Sequence, residues 1–357
     1  MMSNYLNILG RMIGNDQPVF IIAELSANHN QDFDIAVKTI KAIKKSGADA
    51  VKLQTYTPDT ITINCDNEYF QIKQGTLWDG KTLYNLYQEA YTPWEWQPKL
   101  KEIAEDIGLI CFSSPFDKTA VDFLEGMKVP AYKVASFEIT DIPLIEYIAL
   151  KGKPVIISTG IATLSDIEEA VAACKRMGNN QIAILKCISA YPAPLEEVNL
   201  RTIPNLKETF KTVVGLSDHT LGISVPIASV ALGAKIIEKH FILDREFGGP
   251  DAAFSLEPEE FKTMAKAIRE AEKALGKVSY ELTEKMKRNK EFSRSLFVVK
   301  GIKAGEIFTE DNVRSIRPGY GLHPRYLNEV MGRVASHDIQ KGTPVTWDLL
   351  VGRKITQ

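Results

Sequence analysis

Residues 213–240 read VVGLSDHTLGISVPIASVALGAKIIEKH. Two strand-sized apolar runs, VVGLSDH and KIIEKH, flank a nearly all-apolar helical stretch over 225–232 that stops at Gly233. Strand, helix and strand in that order imply a parallel pair joined by a crossover. Both runs are apolar until their last residues, which turn polar and end in His219 and His240. Six runs upstream repeat this shape: IIAELS (21–26), AVKLQT (50–55), LICFSS (109–114), AYKVAS (131–136), VIISTG (155–160) and AILKCIS (183–189). Amphipathic segments lie between most of them. Over 34–46, Ala36, Ile40 and Ile43 share one face before Gly47; over 97–107, Leu100, Ile103, Ala104 and Ile107 do so before Gly108. Asp117 and Ser165 are expected N-caps of later helices. A charged amphipathic helix is expected over roughly 257–275. Eight apolar strands with polar tips predict a (β/α)8 TIM barrel with its active site at the strand C-termini.

At 357 residues the chain has room for a barrel and a second domain. Its net charge is −2 with both signs interspersed, which argues against a nucleic-acid backbone as the main partner. No apolar run is long enough to cross a bilayer. The opening MMSNYLNILGRMIGND lacks the features of a signal peptide. Four cysteines without CxxC spacing suit buried free thiols, and a cytoplasmic location is expected.

One connection is oversized. Residues 56–96 carry Tyr56, Tyr69, Phe70, Trp78, Tyr84, Tyr87, Tyr91, Trp94 and Trp96. A long aromatic loop on the catalytic face is either a substrate lid or a packed shield over the barrel mouth. After Gly276 the pattern changes to polar sequence and then to short β-like pieces. This divides the chain into a barrel over 1–276, a linker over 277–292 and a small, mostly β domain over 293–357. GIKAGEIF and DIQKGTPV in that domain look like one turn used twice.

The strand tips carry the chemistry. Two histidines ending consecutive strands would share the barrel mouth, where neutral imidazoles can hold a divalent metal and leave positions open. Asp251, shortly after His240, could add a carboxylate; a hydrogen-bonded histidine pair is the alternative. Lys52 and Lys133 lie within strands, where a buried ammonium needs a partner. That partner is either a barrel carboxylate such as Glu24 or Glu138, or an anionic ligand. Ser114, Ser136, Ser158 and Ser217 at four tips would supply neutral donors to a phosphate or carboxylate. Rival readings are a Schiff-base aldolase using Lys133 or Lys186 and a non-enzymatic glycan-binding protein. Glu24, Glu138 and Asp251 are candidates to move protons or position hydroxyls.

The runs IIAELSANH, VKLQTY, CFSSPFD, AYKVASFE, STG, GLSDHT and EKHF, taken in order, resemble the sialic acid synthase family. The tail SRSLFVVKGIKAGEIF…IRPGYGLHP resembles that family's C-terminal antifreeze-like (SAF) domain. The resemblance implies an enzyme that joins phosphoenolpyruvate to an acetamido sugar, releasing phosphate and a nine-carbon α-keto acid. KLQTYTPDTITINCDNEYF and GTLWDGKTLYNLY are most similar to members whose sugar is 2,4-diacetamido-2,4,6-trideoxy-altrose. N-acetylneuraminate synthases resemble the chain less there, and tend to carry Asn where this chain has Ser189; they and legionaminate synthases are the alternatives. By resemblance, His219 and His240 match metal ligands, with Mn2+ expected first and Mg2+ or Co2+ as other occupants. Lys52, Gln54, Ser114, Lys133, Ser136, Ser158 and Ser217 match phosphoenolpyruvate-binding positions. Glu24, Tyr191 and Asp251 match positions near the sugar. Arg317 matches an arginine that the SAF domain inserts into the partner subunit's active site, implying a domain-swapped homodimer.

Overall fold

Alternation along eight parallel strands separates a dry floor from a charged mouth. In the computed structural model, which describes residues 5–73 and 75–352, β1 (Tyr5–Ile8) and β2 (Arg11–Gly14) form an antiparallel hairpin. The barrel strands follow: β3 (Phe20–Glu24), β4 (Ala50–Thr55), β5 (Ile110–Pro115), β6 (Tyr132–Val134), β7 (Val155–Ser158), β8 (Ile182–Lys186), β9 (Val213–Asp218) and β10 (Ile236–His240). They close in sequence order, with β10 paired in parallel to both β9 and β3. The expected barrel is present. Residues 1–4, Gln74 in the aromatic connection and 353–357 lie outside the described residues.

Inward-facing residues change character along each strand. Phe20, Ile22, Ala50, Phe112, Ala131, Ile156, Ala183, Val213 and Ile236 form one buried cluster inside the barrel. One or two steps of the two-residue repeat further on stand Glu24, Lys52, Ser114, Lys133, Ser158, Ser217 and Glu238, all buried. Leu6, Ile8 and Ile13 of the hairpin join the apolar cluster and are at most 1 % exposed. The hairpin therefore plugs the N-terminal end of the barrel. Sequence reading missed it, because two four-residue strands give too short an alternation to stand out. The outward strand residues pack against the helices in a second, larger core.

The helices start and stop close to their expected places, with one cap reassigned. Asp117 caps Lys118–Gly126 as expected, its carboxylate accepting from Thr119 and Ala120 N–H. The helix Leu164–Arg176 is capped by Thr163 rather than Ser165. Thr163 and Asp166 form a reciprocal capping box there, and that box fixes the start. The aromatic connection is also more ordered than its sequence suggested. Pro58–Ile61 and Leu83–Ala90 are helical, the second capped by Thr82.

Two compact units divide the chain at Gly276/Lys277. In the second, residues 277–292 contain the helix Glu284–Asn289, and Gly319 N–H donates to Glu291 O. β11 (Ser295–Val298) pairs antiparallel with β12 (Val313–Ile316), and β13 (Val334–Ala335) with β14 (Leu350–Val351). The twice-used turn pairs with itself: Ile302 and Ile339 exchange both backbone hydrogen bonds, at 2.9 and 2.8 Å. Its two glycines, Gly305 and Gly342, have φ of 83° and 90°, where only glycine is unstrained.

Candidate active site

The barrel mouth is organised around a carboxylate that sequence reading did not single out. Glu238 points inward from β10, two residues before His240. Its Oε1 lies 2.9 Å from Lys52 Nζ, 3.7 Å from Lys133 Nζ and 3.1 Å from Ser217 Oγ. Lys52 Nζ also reaches Glu24 Oε1 at 2.9 Å. Gln54 donates to the same Glu24 oxygen at 2.8 Å. Of the two carboxylates expected to pair with the lysines, Glu24 does so with Lys52. Lys133 instead faces Glu238 and donates to Val134 O at 3.1 Å. The clue was in KIIEKH: on a strand that turns His240 inward, Glu238 must face inward too.

Charge in this cluster follows from burial against neighbours. Desolvation opposes charge on Lys52, but Glu238 and Glu24 outweigh it and hold the ammonium above its ordinary range. Desolvation likewise opposes Glu24 ionisation, but His240 and Lys52 pull that carboxyl well below the usual range. Lys133 has weaker compensation, and burial lowers it. Lys133 shares Glu238 Oε1 with Lys52 and lies farther from it, at 3.7 Å against 2.9 Å. Around it, Ser114 Oγ and Ser158 Oγ are buried without any protein partner. Ser136 Oγ accepts from Gly160 N–H at 3.1 Å. A Cβ at Gly160 would stand 2.0 Å from Ser189 Oγ and 2.7 Å from Ser136 Oγ, so glycine keeps this wall open. Buried hydroxyls without partners beside cations are suited to a small multivalent anion.

The histidines occupy the other side. The His219 and His240 rings are 5.4 Å apart between centroids. His219 Nδ1 lies 2.9 Å from Ile188 O and so carries a proton there; burial opposes charge on the ring, but Cys187 and Ile188 O outweigh it and push its pKa up to about 9. The Cys187 thiol also lies 3.7 Å from Nδ1. Burial lowers the His240 pKa and favours the neutral ring. His240 Nε2 is 3.1 Å from Glu24 Oε2, and Nδ1 is 3.6 Å from Asp251 Oδ2, with no hydrogen-bond partner of its own. Two imidazoles, one with an orphaned buried nitrogen, fit a divalent-metal site, with His219 giving up a proton when it binds the ion. No group of three or more His, Cys, Asp or Glu side chains able to hold a metal is found among the described residues.

Aromatic rings line the approach. Tyr191 stands 4.4 Å from His219 and 5.1 Å from Phe254, and Phe254 stands 5.0 Å from His240. Tyr87, from the helix Leu83–Ala90, has its hydroxyl pKa raised by burial and by the charge of Glu138. Burial pushes the Glu138 carboxyl up to about 7, and its Oε2 has no partner. Behind the mouth, Lys239 and Asp218 are register partners on β10 and β9 and form a wholly buried ion pair at 2.5 Å. Each directly precedes one of the two histidines. Arg317 belongs to the second unit, where it is exposed just after β12.

Residues 39–280 match the model of the NeuB family, and residues 293–351 match that of the SAF domain. The chain belongs to the NeuB family. A pseudaminic acid synthase of Campylobacter jejuni is 50 % identical over 333 residues, covering 92 % of this chain and 97 % of that protein. Its Helicobacter pylori counterpart is 48 % identical, covering 93 % and 98 %. Among solved structures, the spore coat polysaccharide biosynthesis protein SpsE of Bacillus subtilis is 36 % identical, with a TM-score of 0.67 and coverage of 98 % and 99 %. NeuB membership agrees with the family resemblance read from the strand tips, and the SAF match with that read from the tail.

Proposed function

We infer that this chain is a pseudaminic acid synthase. It condenses phosphoenolpyruvate and water with 2,4-diacetamido-2,4,6-trideoxy-L-altrose and releases phosphate, which makes it a transferase. The observation that carries the chemistry is the pair of buried lysines sharing Glu238, with unpartnered serine hydroxyls and two buried imidazoles in the same barrel mouth. The 50 % identity to a pseudaminic acid synthase carries the choice of sugar.

Lys52, Lys133 and the hydroxyls of Ser114, Ser136, Ser158 and Ser217 hold the phosphate and carboxylate of phosphoenolpyruvate, with Gln54 steadying Glu24 beside Lys52. His219 and His240 would hold a divalent cation, Mn2+ first. Such an ion supplies Lewis-acid polarisation of the sugar aldehyde. Tyr191 and Asp251 face the sugar. Carbon 3 of the enol phosphate attacks the aldehyde carbon, and the positive charge that develops at carbon 2 is met by water. The resulting tetrahedral carbon expels phosphate with C–O cleavage. Glu24 or Asp251 steers the water or a sugar hydroxyl. Glu138, brought near neutrality by burial, is equipped to exchange a proton in the working pH range.

The proposed assembly is a domain-swapped homodimer in which Arg317 completes the partner subunit's site, the barrel being 1–276 and the SAF domain 293–357. No helix among the described residues is long and apolar enough to cross a membrane, in keeping with a cytoplasmic enzyme. Phosphoenolpyruvate labelled with 18O at the bridging oxygen tests the chemistry. The label should leave in phosphate; label retained in the keto acid would overturn the C–O cleavage.

A further inference from the structure

We propose that Trp78 determines sugar preference, by closing the sugar side of the mouth with an apolar wall that accepts a methyl group and rejects a hydroxyl. The proposal rests on the reading of this mouth as an acetamido-sugar site, and it gives the aromatic connection a specific task.

The turn that carries Trp78 is built to present it. Gly75 N–H, Thr76 N–H and the Thr76 hydroxyl all donate to the Asp79 carboxylate at 2.9 Å. Gly75, Thr76, Leu77, Asp79 and Gly80 are exposed, whereas Trp78 is half-buried. Its ring lies 5.5 Å from Tyr191 at a 52° tilt. Tyr191 in turn abuts His219 and Phe254, and Phe254 abuts His240. The aromatic surface thus runs without a break from the connection to both histidines. Trp78 Nε1 donates to Pro250 O at 3.0 Å, directly before Asp251, whose carboxylate faces His240.

That hydrogen bond is what makes the wall selective. Indole has a single donor and no acceptor. With the donor committed to Pro250 O, the ring offers a ligand only its apolar face. A methyl pressed on it leaves water for an apolar surface, which is favourable. A hydroxyl in the same place loses water and finds no partner, which is unfavourable. Together these favour a 6-deoxy sugar over its 6-hydroxy counterpart by about 10- to 200-fold, the range that one small group commands in an apolar pocket. An indole that merely tied down the connection would give no such preference.

The test compares kcat/KM for 2,4-diacetamido-2,4,6-trideoxy-L-altrose and for the same sugar bearing a 6-hydroxyl, with phosphoenolpyruvate and Mn2+, in wild type, Trp78→Ala and Trp78→Phe. The wall predicts that Trp78→Ala lowers the deoxy/hydroxy ratio at least 10-fold, leaves KM for phosphoenolpyruvate unchanged, and is largely rescued by Trp78→Phe. An unchanged ratio in a folded variant overturns the proposal. So does a parallel rise in both KM values together with a lower melting temperature, which is the mark of an anchor only. Wild type that turns over neither sugar would instead refute the sugar-site reading on which the wall depends.

Discussion

Replacing Glu238 with Gln keeps the shape of the side chain and removes the negative charge that Lys52 and Lys133 share. The two contacts are 2.9 and 3.7 Å. At an effective dielectric constant of about 20, they are worth roughly 6 and 4.5 kcal/mol of attraction. The carboxylate's own burial penalty of several kcal/mol disappears with it, and so does its repulsion with Glu24, which offsets part of the loss. The net cost is therefore about 3–5 kcal/mol, the usual cost of leaving a buried charge without its partner. At about 2–4 °C per kcal/mol, the melting temperature falls by roughly 6–20 °C. Phosphoenolpyruvate should restore much of this, because its anionic groups enter where the charge was lost and a ligand stabilises only the state it binds. The assay is thermal unfolding with and without phosphoenolpyruvate, and the ligand-induced rise should be larger in Glu238→Gln than in wild type. A variant that melts within about 2 °C of wild type, against the shift expected above, would show that Glu238 is not the counter-charge the two lysines depend on. So would a variant that phosphoenolpyruvate stabilises less.

Three further outcomes follow from the same geometry. His219→Ala and His240→Ala should each lose activity and bound Mn2+ together; metal content retained in both variants would remove the histidine pair from the metal site. Arg317→Ala should slow turnover on the order of 10²–10³-fold, the effect of losing one preorganised electrostatic contact, while leaving unfolding of the barrel unchanged; a near-normal rate would reject the swapped arm. Burial pushes the Glu138 carboxyl up to about 7 in the fold, from an ordinary value of 4.5. The folded protein therefore holds a proton that the unfolded chain gives up, and this support is lost as pH rises through about 7. Glu138→Gln removes the titration, so it should gain about 2–3 kcal/mol on wild type between pH 5 and 8; parallel stability curves would contradict the raised pKa.

The barrel was legible because one rule acts on every strand. Two-residue alternation puts Ile236, Glu238 and His240 on the inner face together, and the same rule places Ile22 with Glu24 and Ala50 with Lys52. The resemblance named Lys52, Lys133 and the serine tips because these lie within the quoted runs. What it did not reveal was pairing across strands. Glu238 serves Lys52 from β4 and Lys133 from β6, elements more than 100 residues away in the chain, and no local pattern encodes such a meeting. Trp78 escaped for a related reason. An aromatic-rich connection reads alike whether its rings face solvent, the barrel wall or a ligand, and only the 5.5 Å approach to Tyr191 separates these. The N-terminal hairpin and the Thr163 cap were lost to short-range ambiguity: two four-residue strands, and two hydroxyl residues two positions apart competing for one helix start.

On the proposed function, this barrel joins phosphoenolpyruvate to a 6-deoxy diacetamido sugar. The most direct measurement is phosphate release from phosphoenolpyruvate with added Mn2+ across a panel of purified acetamido sugars, with the product weighed by mass spectrometry. The account predicts stoichiometric phosphate and a nine-carbon keto acid, with highest kcat/KM for 2,4-diacetamido-2,4,6-trideoxy-L-altrose. Preferred turnover of N-acetylmannosamine or of the legionaminate precursor would contradict it.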